Sequence, residues 1–244
     1  MPRFFVPQEN ISDNKASILG EDAFHIARSL RMAVGDDIIL SDGRGTEYVS
    51  TLTLIRDDLC ECRVLEKRAS LTESPIDLTL YMAYPKGDKL ELVIQKAVEL
   101  GAKRIVPFES SRCIKRPKAD KVEKQTQRLT RIAEEAAKQS GRAILPTVSE
   151  PVDYKTMLSL ARSADLAIFC YEGETDCSLK NALERKDSVK SISVIVGSEG
   201  GFSPEEAALA KDAGLVSASL GRRILRCETA PLYVLSAISY IFEL

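Results

Sequence analysis

The sequence predicts two domains of different class, a small β-rich domain followed by an α/β domain with a mainly parallel sheet. In residues 37–65, short apolar stretches are separated by Gly- and Asp-containing turns, which is typical of a small barrel or sandwich. From residue 78 onward, apolar runs alternate with amphipathic helical patterns, as in an α/β domain. Residues 68–75 between them are polar and end in proline. We therefore predict domains at 1–72 and 73–244.

The N-terminal domain is predicted to be mostly β. A short apolar stretch, Phe4–Val6, precedes a helical pattern over Glu21–Arg31. Three strands follow, at Asp37–Leu40, Glu47–Ile55 and Leu59–Leu65.

The C-terminal domain is predicted to alternate strand and helix. Strands are expected at Leu78–Ala83, Arg104–Phe108, Asp165–Tyr171, Ser191–Val196 and Val216–Leu220. Helices are expected at Asp88–Leu100, Ala119–Ser140, Ser203 to Gly214 and Thr229–Phe242. Because chains avoid threading through themselves, these residues alone predict an open, doubly wound sheet.

Composition narrows the class of protein. The chain has 244 residues, a net charge of −2 and 44% hydrophobic residues, as in an ordinary globular protein. The longest mostly apolar stretch, Pro231–Phe242, is short of the ~20 residues that span a bilayer, and the N-terminus has no apolar signal region, so a cytoplasmic location is expected. Six cysteines without a CxxC pair and a single histidine, His25, argue against disulfides, a metal site and histidine-based catalysis.

One segment of this acidic chain is basic. Residues 84–142 contain 15 basic and 8 acidic side chains. Lys121, Lys124, Arg128 and Arg131 follow helical spacing and form a stripe suited to a phosphate backbone. A solvated helix face is the alternative.

Two loops are candidates for ligand binding. Gly197–Gly201 follows a predicted strand and precedes a capped helix, a position where α/β sheets bind ligands. It matches neither the dinucleotide fingerprint nor a P-loop, and an ordinary tight turn is the alternative. Leu220–Ala230 also leads from a strand into a helix and carries three arginines, for which a solvated loop is the alternative.

The sequence resembles the RsmE-type rRNA methyltransferases of the SPOUT superfamily along nearly its whole length. The matching segments are HIARSLRMAVGD (25–36), KGDKLELVIQKAVELG (86–101), EEAAKQSGR (134–142), GSEGGFSPEE (197–206) and LGRRILRCETA (220–230). One departure is Ser198, where the family usually has proline.

The resemblance implies a fold and a function. The fold is an N-terminal PUA-like, RNA-binding β-barrel and a C-terminal SPOUT α/β domain with a deep trefoil knot, which binds the cofactor and forms a homodimer. The activity is transfer of a methyl group from S-adenosyl-L-methionine (SAM) to N3 of a uridine in the 16S rRNA of the small ribosomal subunit. Neither a metal nor a membrane is implied.

Candidate residues follow from the resemblance together with the chemistry of the residues themselves. Those for the cofactor are Tyr171, Glu172, Ile195, Gly197, Ser198, Gly200, Leu220, Gly221, Ile224, Leu225 and Thr229. Those for catalysis are Glu199 and Glu228 as proton acceptors, with water as the alternative, and Arg226, Arg112 or Arg3 to polarise the uracil oxygens. Those for RNA are Arg3, Arg28, Arg31, Lys115, Arg116, Lys118, Lys121, Lys124 and Arg128.

Ordinary structural roles remain as alternatives for several of these residues. The aliphatic side chains would also suit an ordinary core, and Glu199 would also suit an ordering role in its own loop. Two other functions also remain, a SPOUT methylase with another rRNA or tRNA target and a non-catalytic RNA-binding assembly factor.

Overall fold

The computed structural model describes residues 1–114, 119–184 and 189–244. Two compact units are present, one made of Met1–Glu73 and Ala137–Leu145, the other of Ser74–Ala136 and Pro146–Leu244. We call them unit 1 and unit 2. None of the helices in the described ranges is long and apolar enough to cross a membrane.

Unit 1 contains a five-stranded sheet in the order β1-β3-β4-β5-β2. The strands are β1 (Arg3–Phe5), β2 (Lys15–Leu19), β3 (Asp37–Ser41), β4 (Thr46–Ile55) and β5 (Leu59–Ala69). β1 pairs with β3 in parallel, and the other pairs are antiparallel. Alternate side chains, among them Ile38, Leu40 and Leu52, are buried in one core, as the two-residue period of a strand requires.

The predicted helix over Glu21–Arg31 is shorter and less regular in the structure. Only α1 (Glu21–Phe24) is α-helical, and a π-helical turn occupies His25–Ser29. Arg31 then adopts a positive φ of 53°, which no right-handed helix allows. The helical segment therefore ends before Arg31, so apolar spacing alone overestimated the length of this helix. β2 was not predicted, because only Ala16 and Ile18 of this short strand are buried.

Unit 1 includes a segment from the middle of the chain, so the two units are not the continuous stretches 1–72 and 73–244. Arg142 forms a buried ion pair with Glu73 at 2.7 Å. The Glu73 carboxylate also accepts the backbone N–H groups of Ala143 and Ile144. The Ser41 hydroxyl donates to the Ala143 carbonyl at 2.8 Å. These contacts join residues about 70 to 100 positions apart, which local patterns do not reveal.

Unit 2 contains a seven-stranded parallel sheet in the order β12-β10-β11-β6-β7-β8, with β9 also paired to β7. Its strands are β6 (Asp77–Ala83), β7 (Arg104–Glu109), β8 (Thr147–Val148), β9 (Val152–Asp153), β10 (Leu166–Cys170), β11 (Ser191–Val196) and β12 (Val216–Ala218). Its helices are α2 (Lys89–Glu99), α3 (Val122–Gln139, which ends in unit 1), α4 (Tyr154–Ala161), α5 (Leu179–Leu183), α6 (Pro204–Asp212) and α7 (Thr229–Phe242).

The predicted mixed α/β class is confirmed. β8, β9, α4 and α5 were not predicted, because they are too short to show a periodic pattern. α6 begins with the expected cap, since the Ser203 hydroxyl accepts the Glu206 N–H and the Glu206 carboxylate accepts the Ser203 N–H.

The strand order positions the site. β12, β10 and β11 are neighbours and run parallel, so their carboxyl ends lie at the same edge of the sheet. The chain leaves that edge in three loops, which follow Cys170, Val196 and Ala218.

Candidate functional site

The three loops surround a cavity of about 450 Å³ in unit 2. Backbone hydrogen bonds join the first loop to the third, from Leu179 N to Ser219 O at 2.9 Å and from Ser219 N to Cys177 O at 2.8 Å. Most of the predicted cofactor residues line this cavity: Tyr171, Glu172, Gly197, Ser198, Leu220, Gly221, Ile224 and Leu225. The sequence therefore located the cavity from its loops.

Three predicted cofactor residues do not line the cavity. Ile195 lies inside β11 and is fully buried in the core. Thr229 is the exposed first residue of α7. At Gly200, a Cβ would lie 2.9 Å from the Arg112 Cβ, so this glycine is needed for contact with another protein segment. Glycine spacing predicted a close approach there but did not identify the partner.

The loop after β11 is a tight turn that depends on Gly197. Gly201 has a φ of 61°, and its N–H donates to the Ser198 carbonyl at 2.9 Å. A Cβ on Gly197 would lie 3.1 Å from the Gly201 Cα and 3.2 Å from the Phe202 ring. Phe202 in turn packs on Phe169, with ring centroids 4.3 Å apart. The turn is therefore held by its own contacts, and its other face lines the cavity.

Ser198 is a buried cavity residue with an unsatisfied hydroxyl. The residue is 5% exposed, and its Oγ has no hydrogen-bond partner among the described residues. A buried hydroxyl without a partner costs about 1–3 kcal/mol. A ligand atom that reached this hydroxyl would recover part of that cost.

Lys89, at the start of α2, is the main site residue that the sequence analysis missed. Its Nζ lies 3.0 Å from Glu199 Oε1 and 3.2 Å from Glu228 Oε2. The Sγ of Cys227 lies 3.8 Å from the same nitrogen. Lys89 lies within the matching segment 86–101, which was the available signal, but its carboxylate partners lie more than 100 residues further along the chain.

Glu199 and Glu228, the two acidic catalytic candidates, are therefore both paired with Lys89. Burial raises the pKa of Glu199, but hydrogen bonds from its own N–H, from Lys89 and from the Lys86 N–H bring the pKa below its ordinary value. The pKa of Glu228 is also lowered, by its own backbone N–H and then by Cys227 and Lys89. The hydrogen bonds that Lys89 donates to both carboxylates raise the pKa of its ammonium. At neutral pH the cluster thus holds two negative charges and one positive charge.

The predicted catalytic arginines have different surroundings. Arg112 is exposed and donates from Nη1 to the Gly200 carbonyl at 3.0 Å, so it holds the glycine turn from outside. Arg226 lines the cavity together with Arg222 and Arg223. These three are exposed, and in the described part of the chain none of them forms an ion pair.

The predicted RNA-binding residues also differ in their exposure and in their ion pairs. The Arg3 side chain is 11% exposed and pairs with Glu47 at 2.7 Å, so it is not part of the exposed surface. Arg28 is exposed but pairs with Asp57 at 2.6 Å, and Arg31 is exposed. Of the RNA-binding residues predicted in unit 2, Lys121, Lys124 and Arg128 are exposed, and Arg128 pairs with Glu91 at 2.9 Å. Lys115, Arg116 and Lys118 lie outside the described residues.

Known proteins have a similar sequence and a similar fold. Residues 72–239 match a family described as RNA methyltransferase domain, and residues 18–65 match the RNA methyltransferase PUA domain. The chain is 36% identical to ribosomal RNA small subunit methyltransferase E of Bacillus subtilis, over 100% of this chain and 98% of that protein.

Solved structures agree with this relation. Ribosomal RNA small subunit methyltransferase E from Neisseria gonorrhoeae, bound to SAM, superposes with a TM-score of 0.89 at 31% identity, over 99% of this chain and 98% of that one. A putative methyltransferase from Legionella pneumophila in complex with SAM has a TM-score of 0.85 at 27% identity, over 98% of this chain and 97% of that one.

Proposed function

The chain belongs to the RNA methyltransferase family that includes ribosomal RNA small subunit methyltransferase E, and from this premise we propose that it transfers a methyl group from SAM to N3 of a uridine in the 16S rRNA of the small ribosomal subunit. The observation that carries the proposal is the cavity of about 450 Å³ enclosed by the loops after β10, β11 and β12. Relatives of the same fold bind SAM.

The residues around the cavity fit such a cofactor. Its volume lies within the roughly 300–1,000 Å³ of small-molecule sites. The glycine turn exposes backbone, Leu220 and Leu225 supply apolar surface, and Ser198 offers an unsatisfied hydroxyl. These groups would hold SAM, which supplies an electrophilic methyl group on a sulfonium.

The chain's own residues then act by positioning and by charge. Uracil N3 carries a proton, and negative charge develops on the uracil oxygens as that proton leaves. Arg226, exposed at the cavity, supplies positive charge for those oxygens. Glu199 and Glu228 are both paired with the Lys89 ammonium, and we therefore assign them to loop positioning. The N3 proton is released to the bulk solvent.

The substrate RNA would meet cations on each unit. In unit 2, Arg222 and Arg223 lie beside Arg226, and Lys121, Lys124 and Arg128 are exposed. In unit 1, Arg28 and Arg31 are exposed within the PUA-like domain. The ion pairs of Arg28 and Arg128 are exposed and therefore weak, so phosphate groups can replace their carboxylate partners. A small ribosomal subunit as substrate places the enzyme in the cytoplasm.

The finer features of the SPOUT fold are part of the proposal. The trefoil knot is carried by the resemblance to the SPOUT methyltransferases and by the RNA methyltransferase family match over residues 72–239. α7 buries Val234, Leu235 and Ile238 but leaves Tyr233 and Tyr240 exposed, 47% and 72% respectively. This exposed aromatic face supports a homodimer. A boundary near residue 72 between the RNA-binding and cofactor-binding domains is retained, with 137–145 added to the first.

The test is mass spectrometry of nucleosides after incubation of the protein and SAM with unmodified small subunits or with naked 16S rRNA. We expect 3-methyluridine. SAM binding with another methylated nucleoside would change the target nucleotide, and SAM binding with no methylated product would replace the target by a different RNA. Failure of the folded protein to bind SAM would support a non-catalytic RNA-binding factor.

A further inference from the structure

Lys89 holds two cofactor loops through a single ammonium group. Glu199 belongs to the loop after β11, and Glu228 is the N-cap residue at the end of the loop after β12. Both carboxylates lie within 3.2 Å of Lys89 Nζ. These loops form two of the three walls of the cavity, and Lys89 itself lines it. The spacing of the two walls therefore depends on one side chain of α2.

Helix stability does not explain this lysine. Lys89 is the first residue of α2, where the helix dipole favours a negative group and disfavours a cation. Acidic residues already lie at this end of the helix, Asp88 at the N-cap and Glu91 in the first turn. The Glu199 carboxylate lies nearby and accepts the Lys86 N–H at 3.1 Å. The Lys89 side chain is 34% exposed, so the pair contributes little to the fold as a surface salt bridge.

The negative charges of Glu199 and Glu228 explain the position of Lys89 better than helix stability does. Without the ammonium, the two carboxylates would face each other as like charges beside the cavity. Cys227 Sγ is the remaining titratable group of the cluster, and burial raises the pKa of its thiol to about 12, so it stays neutral.

We propose that Lys89 is a positioning residue, whose ammonium keeps the two carboxylates, and the loops that carry them, at the separation that the bound cofactor requires. The inference rests on the proposed function, because it takes SAM as the ligand of the cavity. Lys89 acts through Glu199 and Glu228, so its removal weakens cofactor binding by allowing the loops to separate.

The experiment measures SAM affinity by calorimetry for the full chain and for Lys89→Met. The matched control is Lys96→Met, on the same helix, since Lys96 has a similar exposure of 37% and also pairs with a carboxylate, Glu99, at 2.9 Å. We expect Lys89→Met to weaken SAM binding about tenfold or more at neutral pH, and Lys96→Met to leave it unchanged. Circular dichroism and thermal unfolding show whether both variants fold.

A pH series gives a readout that loss of packing would not produce. In Lys89→Met, the like charge of the neighbouring carboxylate raises the pKa of one of the pair, and protonation of that group removes the repulsion. SAM affinity should therefore recover as the pH falls from about 7.5 toward the ordinary carboxylate pKa of about 4.3. In the parent chain both carboxylates stay paired and no recovery is expected. The double variant Lys89→Met/Glu228→Gln should bind SAM better at neutral pH than Lys89→Met alone, because one like charge is gone.

Each outcome has a distinct meaning. Unchanged SAM affinity in Lys89→Met overturns the inference, as does a loss that neither acid nor the second substitution recovers. Should Lys89→Met fail to fold, the double variant is compared with Glu228→Gln alone, and nearly equal affinities are expected, whereas a further tenfold loss overturns the inference. Failure of the parent chain to bind SAM overturns the proposed function instead.

Discussion

Two carboxylate clusters in this protein are built in opposite ways. In unit 1, the buried Glu47 side chain is 3% exposed and is contacted by Arg3, Arg68 and the Ser70 hydroxyl at 2.7–3.2 Å. In unit 2, Glu199 and Glu228 share one ammonium at the edge of an open cavity. In the Glu47 cluster, three donor side chains surround one carboxylate. In the Lys89 cluster, one ammonium is shared by two carboxylates. The first stabilises a fold, and the second keeps charge and loops available to a ligand.

Substitution of Glu47 should have the largest effect on stability. Glu47→Gln leaves Arg3 buried without its counter-ion, and we expect the free energy of unfolding of the protein to fall by about 2–4 kcal/mol. Urea denaturation measures this change. SAM affinity of the folded variant should be unchanged, and a loss of affinity as large as the loss of stability would contradict the distinction between the clusters.

Arg226→Met should mainly affect turnover. If this arginine stabilises charge on the uracil oxygens, kcat falls about 100-fold while SAM affinity changes little. Methyl transfer to small subunits under saturating SAM measures the effect, with the exposed Arg162→Met at the end of α4 as a control. Equal losses in turnover and SAM binding would make Arg226 a cofactor contact.

The buried carboxylates of unit 1 should make the stability of the protein depend on pH in the acid range. Burial raises the pKa values of Glu47 and Glu73, but hydrogen bonds from Ser70 and Arg3 at Glu47, and from Arg142 at Glu73, outweigh it and leave both pKa values lowered. Their stabilising effect is therefore present above the unfolded pKa of about 4.5 and is lost as the pH falls through the folded values. Denaturation at pH 3 to 7 should show this decline, with a shallower slope in Glu47→Gln. An unchanged slope would show that the pKa of Glu47 is not lowered in the folded protein.

Ser198→Ala should have the smallest and most selective effect. Removing an unsatisfied buried hydroxyl leaves the free energy of unfolding unchanged or raises it by up to ~1 kcal/mol. If the hydroxyl bonds to the cofactor, SAM affinity falls about fivefold. Calorimetry and denaturation on the same variant separate the two quantities. A loss of stability without a loss of affinity would show that Ser198 serves the fold.

Local sequence accounts for much of the fold and for the location of the site. The Ser203 cap, the Gly197 turn and the apolar strands β6, β10 and β11 each depend on residues a few positions apart, and all lie where the pattern predicted. The loops around the cavity follow from the same local features, because parallel strands place their carboxyl ends at one edge of the sheet.

Only the tertiary structure decided which charged groups meet. Lys89 and Glu228 are 139 residues apart, Arg142 and Glu73 are 69 apart, and Arg3 is buried by Glu47 from another strand. Each of these side chains would also suit a solvated surface, and no local pattern distinguishes the two environments. Helical and strand periods report which face of an element is apolar. The partner of a charge depends on how distant segments pack, because its energy is set by burial and by distances of a few ångströms.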